Sequence, residues 1–153
     1  MMGGMADSVL SIAAELDSLA EIRRFVREAT TVLGADPETI SSLELAVDEA
    51  ACNVIEHGYQ GQPGRIEVEV RRDGDVVRIR LRDWAPPFDP TRVPKPDVTL
   101  PLEERPLGGM GVYLIRQSVD EMVYRVPPGG GNELTLMKRL EAEKEESDGH
   151  RHV

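Results

Sequence analysis

Residues 45–59 read LAVDEAACNVIEHGY, and the spacing inside this stretch sets the terms for the rest of the chain. Glu49, Asn53 and His57 stand four residues apart, so on a helix they form one polar stripe. Ile40, Leu43, Val47, Ala50 and Val54 recur beside it at three- and four-residue steps and make a core face. Asp36-Pro37 opens the helix, with Asp36 as N-cap, Pro37 at the first helical position and Glu38 in the first turn. The pattern predicts a helix running to about His57, ended by Gly58. A carboxylate can take a proton or orient an attacking hydroxyl. An amide oxygen is a hard ligand that suits magnesium, whose coordination is usually shared with phosphates and water. Against this stands the plainer reading of a solvated helix face, with His57 a C-terminal residue interacting with the helix dipole.

Working outward toward the N-terminus, Glu15 to Leu33 reads as a second helix, with Leu16, Leu19, Ile22, Phe25, Val26 and Ala29 inward. Arg23, Arg24 and Arg27 then face outward, and Gly34 is the stop. Val9 to Ala14 is a candidate first strand. Beyond a turn at Gly61 to Gly64, Arg65 to Arg72 alternates as Ile66, Val68 and Val70 against charged residues. Asp73-Gly74 is a strong turn signal, and Val77, Ile79 and Leu81 then alternate against Arg78, Arg80 and Arg82. This is a hairpin with one dry face.

Between Pro86 and Pro106 lie seven of the eleven prolines, a density that neither a helix nor a central strand survives. A loop of this length within a domain is a lid, a binding loop or disorder. Val112 to Val119 reads as a helix, and Glu121 to Val126 and Asn132 to Leu140 flank a Pro-Pro-Gly-Gly-Gly turn as a final hairpin. The elements add up to an α+β, two-layer α/β sandwich. Helices would cover one face of a mixed, mostly antiparallel sheet. The organisation expected is an extension over residues 1–7, one domain over 8–140 with a lid at about 84–108, and an acidic tail over 141–153.

Composition narrows the function classes. A chain of 153 residues fits one domain with a single sizeable core. The formal net charge of −10 disfavours direct nucleic-acid binding and anionic membranes. Cys52 is the one cysteine, so no internal disulfide can form. Its place on the helix between Glu49 and Asn53 reads as packed rather than reactive. There is no signal-peptide pattern at the start and no apolar run of membrane-spanning length, so a cytoplasmic location is the expectation.

Two further constellations could carry chemistry. Asp83 ends a good strand at the head of Asp83-Trp84-Ala85-Pro86-Pro87-Phe88-Asp89-Pro90, where its carboxylate can accept from a ligand's exocyclic amine or simply cap a turn. Gly108, Gly109 and Gly111 stand at a helix start, where glycines let backbone approach a phosphate and free N–H groups favour an anion. No lysine followed by serine or threonine comes after them, so this is not a P-loop. A strand does not lead into them, so it is not a dinucleotide fingerprint either. The HRD and DFG motifs of eukaryotic protein kinases are missing as well.

Taken in order, the helix with Glu-x-x-x-Asn, the hairpin ending in Asp83, the lid, the Gly-x-Gly helix start and the final strand resemble the GHKL ATP-binding (Bergerat) fold. More narrowly, "LAVDEAACNVIEHGY", "DWAPPFDP", "GGMGVYLIRQSVDEMVY" and "GNELTLMKRL" are similar to the anti-sigma-factor serine/threonine kinases of bacteria, over about residues 8 to 140. The resemblance implies Glu49 as general base, Asn53 as magnesium ligand and Asp83 as reader of the adenine amine. It implies Gly108, Gly109 and Gly111 at the phosphates and Thr135 as support for the adenine contact. Ala85 stands where the wider fold usually has the glycine of Asp-x-Gly, keeping the small size with less backbone freedom. The cofactors implied are ATP and Mg2+. The partners implied are an RNA-polymerase sigma factor, an anti-anti-sigma protein as phosphate acceptor, and a second copy of the chain in a homodimer. Two other readings stand beside this one: an ATP-binding interaction module without kinase activity, and a detached histidine-kinase catalytic domain.

Overall fold

In a computed structural model, residues 7–94, 99–101, 103 and 109–140 are described. Residues 1–6, 95–98, 102, 104–108 (Gly108 among them) and the 141–153 tail lie outside the described residues. In chain order the elements are β1 (Ser8–Ala13), α1 (Leu19–Val32), α2 (Pro37–Asn53), β2 (Arg65–Asp73), β3 (Val76–Asp83), α3 (Gly109–Ser118), β4 (Glu121–Arg125) and β5 (Asn132–Arg139).

The strands form one sheet in the order β1-β2-β3-β5-β4. Every pairing is antiparallel, so the expectation of a mixed sheet is corrected. The reason is visible in the connections. β2 and β3 form one hairpin and β4 and β5 another, while β1 reaches β2 across two helices and still runs against it.

Alternation along the strands decides the layers. Ile66, Val68, Val70, Val77, Ile79, Leu81, Leu134 and Leu136 point to one face and are buried there. Helical Ile22, Val26, Leu43, Ala46, Val47 and Ile115 close over them. Each of the large side chains among these contributes about 1.5–3 kcal/mol by leaving water. The two long helices are also tied by ion pairs, Arg23 to Asp48 at 2.8 Å and Arg27 to Glu44 at 2.5 Å.

Three helix boundaries differ from the sequence pattern. Glu15 is extended and a 3-10 turn over Leu16–Ser18 precedes α1. That turn carries Leu16 outward, to 55 % exposure, and off the core face expected for it. α3 starts at Gly109, three residues before Val112, because a helix's first turn needs no intrahelical partner for its N–H groups and tolerates glycine there.

α2 stops being α-helical after Asn53, and Val54–Gly58 form a wider π turn, closed by the Tyr59 N–H donating to the Val54 carbonyl at 2.8 Å. The wider turn brings Gly58 against Ala85, where a methyl group on Gly58 would stand 3.1 Å from the Ala85 Cβ. The small size at both positions is therefore a packing requirement. Just beyond, the Tyr59 hydroxyl accepts from the Trp84 N–H at 2.8 Å and donates to the Arg65 carbonyl at 2.9 Å. The end of α2 is thus stitched to β2 and to the residue after β3.

Candidate functional site

A cavity opens between α2, the inner face of β3 and β5, and the segment after β3. Ala50, Asn53, Leu81, Asp83, Ile115 and Tyr124 are among its lining residues, so it is largely apolar with a few polar atoms. Asp83 lies on its wall, 3 % exposed, as the last residue of β3 and the register partner of Asn132. Its Oδ1 accepts from the Ala85 N–H at 3.0 Å and from Asn132 Nδ2 at 2.8 Å. No hydrogen bond from a described residue reaches its Oδ2. Burial holds the Asp83 carboxyl above the usual range, and the hydrogen bonds from Asn132 and Ala85 and the Arg82 charge only partly offset it.

Asn132 is the hub of this wall. Its Nδ2 also lies 3.3 Å from the Ala85 and Pro86 carbonyls, and its Oδ1 accepts from the Phe88 N–H at 2.8 Å and the Tyr124 hydroxyl at 2.5 Å. One buried amide therefore fixes Asp83 and the first turn of the following segment together. Arg82 supports the same corner from the other side, its Nη1 donating to the Asp83 carbonyl at 2.6 Å and the Gly130 carbonyl at 3.0 Å.

The other end of the site is made by α2 and α3. A methyl group on Gly111 would stand 2.9 Å from Glu49 Oε1 and 3.6 Å from Asn53 Oδ1. Only a glycine lets the first turn of α3 come this near to the polar stripe of α2. The helix start then sets N–H groups that have no intrahelical partner beside a carboxylate and an amide. Burial raises the Glu49 pKa, and the nearby negative charges of Asp48 and Glu56 raise it further. The Cys52 thiol is likewise pushed up, by burial first and then by Glu56, Asp48 and Glu49, which disfavours its reactive thiolate form.

The structure therefore brings Glu49, Asn53, Asp83, Ala85 and Gly111 into one site, with Gly109 at the head of α3; Gly108 lies outside the described residues. Thr135 is not brought there. It shares the outward parity of β5 with Glu133, while Leu134 and Leu136 face the core. Its neighbours are Glu69, Arg71, Arg78, Arg80 and Glu133 on the far face of the sheet. The residue of β5 that supports Asp83 is Asn132, and counting back by twos from Leu136 and Leu134 identifies it. Tyr124 was also missed; a hydroxyl on a strand flanking the final turn carries no sequence signal of its own.

A model of the histidine kinase-like ATPase domain family matches residues 12–138, most of the chain. The chain belongs to that family. Within it, the chain is 26 % identical over 145 residues to a protein named serine-protein kinase RsbW from Bacillus cereus (strain Q1), covering 92 % of this chain and 89 % of the relative. It has the same identity and coverage with the RsbW of Bacillus thuringiensis subsp. konkukian (strain 97-27). Among solved structures, it superposes with a TM-score of 0.63 and 23 % identity on a crystal structure of RsbU and RsbW domains from Mycobacterium tuberculosis. That match covers 88 % of this chain, which spans 32 % of the solved one, and it supports the fold alone. The α+β sandwich with helices on one face is the GHKL, or Bergerat, fold. No helix among the described residues is long and apolar enough to cross a membrane.

Proposed function

We propose that this histidine kinase-like ATPase domain is a serine/threonine protein kinase that binds Mg-ATP and phosphorylates a protein partner. The observation that carries the reading is the Asp83 carboxylate, buried with Oδ2 free of described partners on the wall of an apolar cavity that Asn53 also lines, with Glu49 and Asn53 both close to Gly111. A buried acceptor without a donor is costly unless a ligand supplies one. An exocyclic amine on a flat, apolar ring meets both conditions, and adenine carries one.

Asp83, held by Asn132, would bind the base, with Ala85 closing the wall. Gly109 and Gly111, with Gly108 beside them, would take the phosphates on the α3 N-terminus. Asn53 would offer its amide oxygen to the metal. Among the described residues no group of three or more His, Cys, Asp or Glu side chains is gathered for a metal, so Asn53 would share the ion with phosphates and water. ATP, when bound, supplies the phosphoryl group. Glu49, more basic than an exposed glutamate, would take the proton of the partner's hydroxyl, a role worth about 10²–10⁴ in rate.

Resemblance to the anti-sigma-factor kinases, and to relatives named serine-protein kinase RsbW, supports the rest of the proposal. The acceptor is a small anti-anti-sigma protein, and the chain holds a sigma factor inactive in the cytoplasm, as a homodimer. The test compares wild type and Glu49→Ala, each with labelled ATP, magnesium and candidate anti-anti-sigma proteins. Labelling lost in the variant while ATP still binds is expected. Tight ATP binding by both without transfer would favour an interaction module, and no binding by either would refute the site.

A further inference from the structure

Arg116 does not line the cavity, yet it bonds at three points to the segment that carries Pro90, one of the cavity's lining residues. Its Nη1 donates to the Val93 carbonyl at 2.9 Å, and its Nη2 to the carbonyls of Thr91 at 2.6 Å and Pro90 at 3.3 Å. Among the described residues it forms no ion pair with a carboxylate, and its hydrogen bonds go to backbone carbonyls. The segment it holds has little to hold itself. Residues Pro90–Arg92 make a single 3-10 turn, started by Asp89, whose Oδ1 accepts from the Thr91 N–H at 2.9 Å. One such turn is marginal alone. Pro90 is nonetheless buried and lines the same cavity as Asp83.

The position of Arg116 on α3 gives these contacts a meaning. Ile115, the preceding residue, is fully buried and lines the cavity; Gly111, just over one turn back, abuts Glu49 and Asn53. We propose that Arg116 is a positioning residue that fixes the Pro90–Val93 segment, and with it the Pro90 wall of the base cavity, to α3. The helix that shapes the phosphate end then also carries part of the base end. An arginine suits the task because its planar fork reaches several carbonyls at once, which a lysine ammonium cannot do with fixed geometry. The consequence for nucleotide binding rests on the function proposed above; the hold on the segment does not.

Trypsin separates the two. Within residues 84–108 it has three basic sites, and Lys95-Pro96 and Arg105-Pro106 resist it because proline follows. Arg92-Val93 remains, with the Arg92 side chain 85 % exposed. Arg116→Ala should speed cleavage after Arg92 about tenfold without nucleotide, for the loss of its charge-assisted bonds, and Arg116→Lys should fall between. In the kinase assay Arg116→Ala should raise the KM for ATP about three- to tenfold with kcat nearly unchanged, since Glu49 and Asn53 stay in place on α2. The thermal midpoint should move by no more than about 3 °C. Unchanged cleavage after Arg92 overturns the hold itself. Faster cleavage with an unchanged KM, or a lowered midpoint as the sole effect, overturns the positioning role. Should wild type bind no ATP, the proposed kinase falls, and the cleavage rates still decide whether Arg116 holds the wall.

Discussion

Replacing Asn132 with aspartate tests the centre of the site, because the change is nearly isosteric and the chemistry is opposite. The donor Nδ2, now 2.8 Å from Asp83 Oδ1, becomes a second carboxylate oxygen. Two ionised groups that close would repel by about 6 kcal/mol at an effective dielectric of about 20. Sharing a proton is the cheaper escape. It costs about 1.36 kcal/mol for each pH unit above the ordinary aspartate value of about 3.9, hence about 4 kcal/mol at pH 7 and about 1.5 at pH 5. The protonation route is therefore the one taken up to about pH 8. The sign follows from linkage. A carboxyl whose folded pKa lies above its unfolded value costs nothing at low pH and destabilises increasingly as pH rises between the two. The two 3.3 Å contacts to Ala85 and Pro86 add a pH-independent loss of about 1 kcal/mol. Urea unfolding followed by circular dichroism, for wild type and Asn132→Asp at pH 5 and pH 7, should show a deficit about 3 kcal/mol larger at pH 7. An equal deficit at both would mean that residue 132 and Asp83 do not face each other, and the wall described here would be wrong.

Gly111→Ala should lower transferase activity at least about tenfold, because its methyl group would stand 2.9 Å from Glu49 Oε1, while the thermal midpoint holds or rises, as expected for alanine replacing glycine in a helix. A drop in both together would point to simple unfolding instead. Burial and the charges of Asp48 and Glu56 raise the Glu49 pKa, so kcat should already decline with falling pH where an ordinary glutamate, near about 4.3, is still fully ionised. A rate flat through that range would remove Glu49 as the base. Thr135→Val should leave ATP affinity within about twofold of wild type by calorimetry, since Thr135 lies on the far face of the sheet; a loss of tenfold or more would restore it to the site.

What the sequence made legible was whatever is written in local period. The alternation of Ile66, Val68 and Val70 against charged neighbours, and the three- and four-residue steps around Leu43 and Val47, gave the layers. They also placed Glu49 and Asn53 beside the core face of one helix. What stayed hidden is what depends on partners distant in the chain. Asn132 meets Asp83 across 49 residues, and Arg116 meets Thr91 across 25. Neither end of those pairs changes the local pattern. Thr135 shows how the two kinds of information compete. The resemblance assigns it to the adenine contact, yet strand parity, which the same sequence displays, assigns it to the outer face with Glu133. Parity outranks type because a one-residue slip would turn Leu134 and Leu136 to water, and burying each is worth about 1.5–3 kcal/mol. No single hydrogen bond from a threonine, at about 1 kcal/mol, could reverse that. The support for Asp83 had to come from the inward parity, where Asn132 is the polar residue of β5 opposite Asp83, and an amide that both donates and accepts can hold Asp83 and Phe88 at once.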